Sequence, residues 1–166
     1  MIRIGLLLID GFALMSYSSV VEPLRAANLL SEKKLYSISN FSSRNISTSS
    51  SGAKVDTIII GNEKEKLDII FVCAGGDPFS YTNNKVFDWL RKKSREGSSL
   101  GGVSGGPVII AKAGLMRGKR MTLHWEHSDA FKETWPSVSL EKSLFVIDQN
   151  RISCAGGIAP LDLMYT

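Results

Sequence analysis

Ser104 is the residue whose neighbours suggest chemistry first. It stands in Leu100-Gly-Gly-Val-Ser-Gly-Gly-Pro-Val-Ile-Ile-Ala-Lys-Ala113, between a β-branched residue and two glycines. Glycine permits a tight, positive-φ turn. Pro107 suits a first helical turn, where its missing N–H costs nothing. The stretch reads as strand, sharp corner and helix, with one hydroxyl at the apex and the N–H groups of Gly105 and Gly106 beside it. Two chemistries follow. With a base in reach the hydroxyl is a nucleophile, and Gly102-Val-Ser-Gly-Gly106 has the Gly-x-Ser-x-Gly spacing of a nucleophile elbow, a short pattern of weak specificity. Without a base the same corner is the floor of an anion-friendly pocket.

The chain has two histidines, His124 and His127. His124 ends a short apolar run and is placed to line the Ser104 pocket. If that run stays extended, Glu126 points to the opposite side, leaving no acid to orient the imidazole. For binding, Gly76 and Gly105 supply backbone donors, His124 a polar tip and Trp125 an aromatic wall. Trp125 or Tyr17 would receive a cation face-on. The plain alternative for these side chains is core packing. Gly101 to Gly106 lacks the Lys-Ser/Thr pair of a phosphate loop. No His, Cys and carboxylate spacing suggests a metal, and no cofactor is expected. Cys73 and Cys154 sit in apolar runs and read as buried thiols.

These residues must be positioned by a framework. The 166 residues suffice for one domain, and 43% hydrophobic with 22% charged residues fits an ordinary globular protein. A net charge of +4 is mild. Arg91-Lys-Lys93 with Arg95, and Arg117 with Lys119-Arg120, read as solvated faces rather than a nucleic-acid surface. No run approaches a membrane span, and the opening run lacks the marks of a signal peptide; cytoplasmic is the expectation.

Ile2–Ile9 and Leu67–Cys73 read as strands buried on both faces. Tyr36–Phe41 and the run into Val103 are further strands, and Val55–Ile60 is placed on a sheet edge. Helices are expected from about Val20 to Leu30, with Pro23 in the first turn, and over Asn84–Arg95, Val108–Ala113, His127–Thr134 and Ala159–Tyr165. Met15 to Ser19 would cap the first of them. Asn45–Gly52 is a polar loop or loose hairpin. Met121–Trp125 is a short strand running into a loop. Val138–Leu140, Leu144–Ile147 and Arg151–Ala155 are strands, the last two joined by a hairpin. Strands alternating with helices imply a doubly wound α/β sheet with helices on both faces. Asp10-Gly11, Gly75-Gly76 and Ser104-Gly105-Gly106 all fall at strand ends, where such sheets hold ligands.

Several stretches carry a resemblance: Ile4-Gly-Leu-Leu-Leu-Ile-Asp-Gly-Phe12, Glu22-Pro-Leu-Arg-Ala-Ala-Asn28, Ala74-Gly-Gly76, Gly101-Gly-Val-Ser-Gly-Gly-Pro107, Ala113-Gly-Leu-Met-Arg-Gly118, Thr122-Leu-His-Trp-Glu126 and Cys154-Ala-Gly-Gly-Ile-Ala-Pro-Leu-Asp-Leu-Met164. Together they resemble the N-terminal domain of AraC-family transcriptional regulators with a PfpI-like, class I glutamine amidotransferase-like fold. The resemblance spans residues 1–166. It implies a flavodoxin-like sandwich that dimerises and senses a small nitrogen-containing effector, an amine or amino-acid-like metabolite. DNA contact would belong to a helix-turn-helix domain beyond Thr166. In enzymatic relatives the corner residue is cysteine, aided by a histidine or acid; here Ser104 holds that place, and Ser16 stands where several relatives have an acid. His124 matches a histidine seen in some relatives. The resemblance thus implies a ligand site at Gly75, Gly76, Ser104, Gly105, His124, Trp125 and Ser16 rather than an enzyme. The alternative is a serine-dependent amidase or hydrolase using Ser104 and His124.

Overall fold

The aliphatic run at the start of the chain forms β1 (Ile2–Leu8). Its side chains enter two different cores, Ile4, Leu6 and Leu8 on one face and Leu7 on the other. That double burial is why the run is continuously apolar rather than alternating. The computed structural model describes all 166 residues. After β1 come α1 (Leu14–Leu30), β2 (Tyr36–Ser42), β3 (Ile46–Thr48), β4 (Lys54–Asp56), β5 (Ile58–Ile59), β6 (Ile69–Ala74) and α2 (Asn84–Arg95). Then follow β7 (Ser99–Ser104), α3 (Gly106–Lys112), β8 (Arg120–Met121), a 3-10 turn (Trp125–His127), α4 (Ser128–Thr134), β9 (Ser139–Leu140), β10 (Phe145–Asp148), β11 (Arg151–Cys154) and α5 (Ala159–Met164).

Seven strands form one sheet in the order β10-β11-β7-β6-β1-β2-β5. Every pairing is parallel except the β10–β11 hairpin. Val20 and Leu24 of α1 and Ala159 and Leu163 of α5 pack on one face; α2 and α3 pack on the other. The fold is the doubly wound, flavodoxin-like α/β sandwich. From β1 the chain moves to β2 on one side and later returns to β6 on the other. The crevice outside the carboxyl ends of β1 and β6 is therefore a topological switch point, where open α/β sheets bind ligands.

Several local expectations are corrected. Helix α1 begins at Leu14, not Val20, and Pro23 lies inside it. Its serines do not cap it: Ser16 is buried within the helix, and Ala13 precedes the helix with no side-chain cap. The strand expected over Met121–Trp125 stops at Met121, and the chain turns sharply at Trp125–His127, closed by the His127 N–H donating to the His124 carbonyl at 3.0 Å. The basic run of α2 is not wholly solvated. Lys93 is buried, its ammonium 2.5 Å from Glu63 and 2.9 Å from Glu96. The Trp89 indole N–H also donates to Glu63, at 3.2 Å.

The edge expected at Val55–Ile60 is divided: Ile58 and Ile59 form the edge strand β5, while β4 pairs antiparallel with β3. That small hairpin is docked on the end of β1. The Asp10 carboxylate accepts from the Thr48 N–H and the Ser47 hydroxyl, both at 3.0 Å. The Ser50 N–H donates to the Phe12 carbonyl at 2.9 Å.

Burial alone would push the Glu63 carboxyl up, but the bonds from Lys93 and Trp89 outweigh it and hold the group below its ordinary value. Glu63 therefore contributes stability above the unfolded carboxylate range and loses it as pH falls through the folded value. Glu63→Gln is expected to cost about 3 kcal/mol at pH 7 in urea unfolding. The deficit relative to the parent protein should shrink as pH drops below the carboxylate range.

Candidate functional site

The turn from β7 into α3 is set by close backbone approach. A Cβ on Gly106 would lie 2.0 Å from the Val72 carbonyl oxygen of β6, and one on Gly102 would lie 2.4 Å from the Pro107 nitrogen. No side chain fits at either place, so α3 starts pressed against the sheet. The reversal is absorbed at Ser104, which has φ +57. This corrects the expectation that glycine carries the positive φ, because Gly105 has φ −80. A non-glycine residue held in the left-handed region costs on the order of 1 kcal/mol or more, and such strain concentrates at functional sites. The Gly105 N–H donates to the Ala74 carbonyl at 2.9 Å, so it is spent inside the fold rather than offered to a ligand.

Ser104 opens onto a cavity of about 190 Å3. Gly11 and Ala13 after β1, Gly75 and Gly76 after β6, and Ser50 of the β3–β4 turn line it together with Ser104. The far wall is His124, Glu126 and His127. A pocket for drug-sized ligands holds roughly 300–1,000 Å3, so this one suits a small metabolite or one end of a larger one. Hollows of about 460 and 530 Å3 lie near β2 and α2 and contain no imidazole, thiol or strained serine.

Of the residues expected at the site, Gly75, Gly76, Ser104 and His124 meet at the cavity, whereas Gly105, Trp125 and Ser16 do not line it. Trp125 is 75% exposed and faces a separate groove with Ser128, Asp129 and Lys132. Ser16 is buried, and its hydroxyl donates to the Gly157 carbonyl at 3.4 Å. Tyr17 donates to the Asn40 side chain at 3.2 Å and packs on Phe12.

Sequence reasoning set Glu126 on the opposite side, which the structure corrects; it placed Gly11 at a pocket strand end without counting it as a site residue, and it missed His127, Ser50 and Ala13. The 3-10 turn brings Glu126 back beside His124, with its Oε2 3.5 Å from the imidazole Nδ1. That contact is not a hydrogen bond, and the Nδ1 atom is buried without a partner. No hydrogen bond joins either imidazole to the Ser104 hydroxyl. His127 lies 6.0 Å from His124, ring centre to ring centre, with its edge against Phe79. Burial and then the His124 charge lower the His127 pKa, against Glu126 and Asp77, which raise it. The net effect favours the neutral ring. The His124-x-x-His127 spacing was the available signal, since residues three apart share one side of a 3-10 turn. Burial pushes the Cys73 thiol up to about 12 and the Cys154 thiol to about 11, so neither is a thiolate nucleophile at neutral pH.

The sequence model of the DJ-1/PfpI family matches residues 2–166. The chain belongs to the DJ-1/PfpI family. Among relatives, the HTH-type transcriptional regulator GlxA of Rhizobium meliloti (strain 1021) is 43% identical over 165 residues, covering 98% of this chain and 51% of that protein. This chain spans about half the length of the curated relatives it matches. An isonitrile hydratase of Pseudomonas putida is 28% identical over 120 residues, covering 72% of this chain and 52% of that enzyme. The crystal structure of an AraC family transcriptional regulator from Pseudomonas putida superposes with a TM-score of 0.88 at 22% identity, covering 99% of this chain and 89% of that one. At that identity the likeness is one of fold.

Gly156 completes the corner from the other side. It has φ +98, and a Cβ there would lie 2.8 Å from both Cα and Cβ of Ser104. Gly156→Ala is expected to cost about 2–3 kcal/mol, since both backbone and contact are violated. Ser104→Gly should stay within about 1 kcal/mol of the parent, because relief of the left-handed strain offsets the added chain entropy. Urea unfolding of both variants checks the pair.

Proposed function

We propose that this chain is the effector-sensing and dimerisation domain of a bacterial AraC-family transcriptional regulator acting in the cytoplasm. It binds a small nitrogen-containing metabolite, an amine or amino-acid-like molecule, at the Ser104 cavity, and it is not an enzyme. DNA contact belongs to a helix-turn-helix region of the longer protein, and no membrane is involved. The observation that carries this reading is the Ser104 hydroxyl, held at a strained corner over a small polar cavity with no base hydrogen-bonded to it. The likeness to GlxA over nearly the whole chain supports the regulatory role. Sensing requires the effector to bind one arrangement of the domain or dimer better than another.

Thermal-shift screening with amines and amino acids tests this. A true effector should raise stability by about 2.7 kcal/mol at a hundred times its Kd, and Ser104→Leu should abolish the response while the fold persists. A folded protein that no such compound stabilises counts against the proposal.

One contact favours a second reading, a serine-dependent amidase or hydrolase. Glu126 stands 3.5 Å from His124 Nδ1 on the same cavity as Ser104. That places an acid behind a base, provided His124 Nε2 can reach the hydroxyl. Turnover of activated esters and primary amides by the parent protein, Ser104→Ala and Glu126→Gln separates the two readings. Loss of activity in both variants supports hydrolysis; equal rates in the parent and Ser104→Ala remove it.

A further inference from the structure

We propose that the Ser104 cavity is a carboxylate subsite whose occupancy draws one proton onto the His124–His127 imidazole pair, so that the acid group binds more tightly as pH falls. This rests on the cavity being the effector site and names the part of the effector it takes.

The cavity's charges carry the argument. Its donors include the Ser104 and Ser50 hydroxyls, the Gly76 backbone N–H, which bonds to no other group of the chain, and the two imidazoles. Its one carboxylate is Glu126, and no lysine or arginine lines it. A carboxylate entering there meets good donors and a like charge. Two carboxylates sharing a small site are mutually unfavourable unless a positive charge joins them. The imidazoles are the groups present that can supply it, by taking a proton from solvent. His127 is held neutral by its buried setting, and an anion beside it reverses that balance. His124 adds a second inducement. Its Nδ1 is buried and unpartnered 3.5 Å from Glu126, so a ring protonated on both nitrogens would face that carboxylate with a charge-assisted donor. The charged groups acting on His127 are His124 and Glu126 from its own segment and Asp77 from the turn after β6. From β1, β7 and the β3–β4 hairpin the cavity receives only Gly11, Ala13, Ser104 and Ser50, none of them charged.

The chain's two histidines are both in this cavity, so their ring proton NMR signals report on it alone. The signals are followed against pH in sodium acetate, in sodium chloride of equal ionic strength, and in methylammonium chloride, with His127→Asn assigning them. Acetate is expected to raise the midpoint of at least one ring by about one pH unit over chloride. Its affinity should rise up to about tenfold per pH unit lowered between the free and bound midpoints. Glu126→Gln should bind acetate with little proton uptake. Identical midpoints in acetate and chloride overturn the proposal, as does a response to methylammonium alone, which makes the cavity a cation site. If amino acids stabilise the protein while acetate leaves the imidazoles unmoved, this inference fails and the sensor reading stands. If acetate acts and no effector is found, the reverse holds.

Discussion

The approach of α3 to β6 governs the rest of the site. With the Gly106 backbone against the Val72 carbonyl, there is no room for the chain to round the end of β7 gradually. The whole reversal falls on one residue, and Ser104 takes a backbone conformation that L-residues avoid. Its neighbours stabilise this arrangement. Gly105 ties back to Ala74, and Val108, Ile109 and Ile110 are fully buried one turn later. The apolar burial of α3 thus offsets the strain at its start. Gly156 then closes over the serine from the β11 side, so residues far apart in the chain meet at one Cα.

The consequence for chemistry is a hydroxyl carried on a fixed corner over a small polar cavity. Such a hydroxyl suits both binding and attack, and the distinction lies in proton acceptors. Glu126 and His124 share the cavity with Ser104, yet the imidazole is not bonded to the hydroxyl, and its Nδ1 is left without a partner. Attack by the serine needs a hydrogen bond from hydroxyl to imidazole to form first. The proposed carboxylate subsite needs no such bond, because an arriving negative charge favours the protonated imidazole.

Much of the framework was legible from residue pattern alone. Continuous aliphatic runs announced strands buried on both faces, and glycine pairs marked their carboxyl ends. The amphipathic face of α2, with Val86, Phe87 and Leu90 inward, fixed its bounds at Asn84 and Arg95. The failures share a cause, dependence on partners distant in sequence. The N–H of Gly105 is consumed by Ala74 on a neighbouring strand. Lys93 is buried because Glu63 and Glu96 reach it, which a run of basic residues cannot disclose. Ser16 lies inside α1 and faces Gly157 beside α5, so a serine that looks like a cap is an interior contact. The 3-10 turn that redirects Glu126 follows a strand cut short at Met121, where β8 pairs with β9 for only two residues.

The cavity has a rigid floor and a lightly held wall, and this division decides where a ligand can act. Ser104 ends β7, and Gly75 and Gly76 directly follow β6; the two strands pair in register from Ile69–Ser99 to Ala74–Ser104. The wall is a different construction. Thr122 is fastened by its N–H to the Ser153 hydroxyl at 2.9 Å and by its own hydroxyl to the Ser143 carbonyl at 2.7 Å. Beyond that point Leu123 and, in α4, Phe131 are the buried anchors, and Trp125 and Glu126 lie exposed between them. Segments with few buried contacts open at lower free energy than the core they rest on. A ligand bridging Ser104 to His124 and His127 therefore spends its binding energy on the wall, since the floor is already fixed. The part of the cavity most able to shift against its floor is therefore the exposed stretch around Trp125 and Glu126.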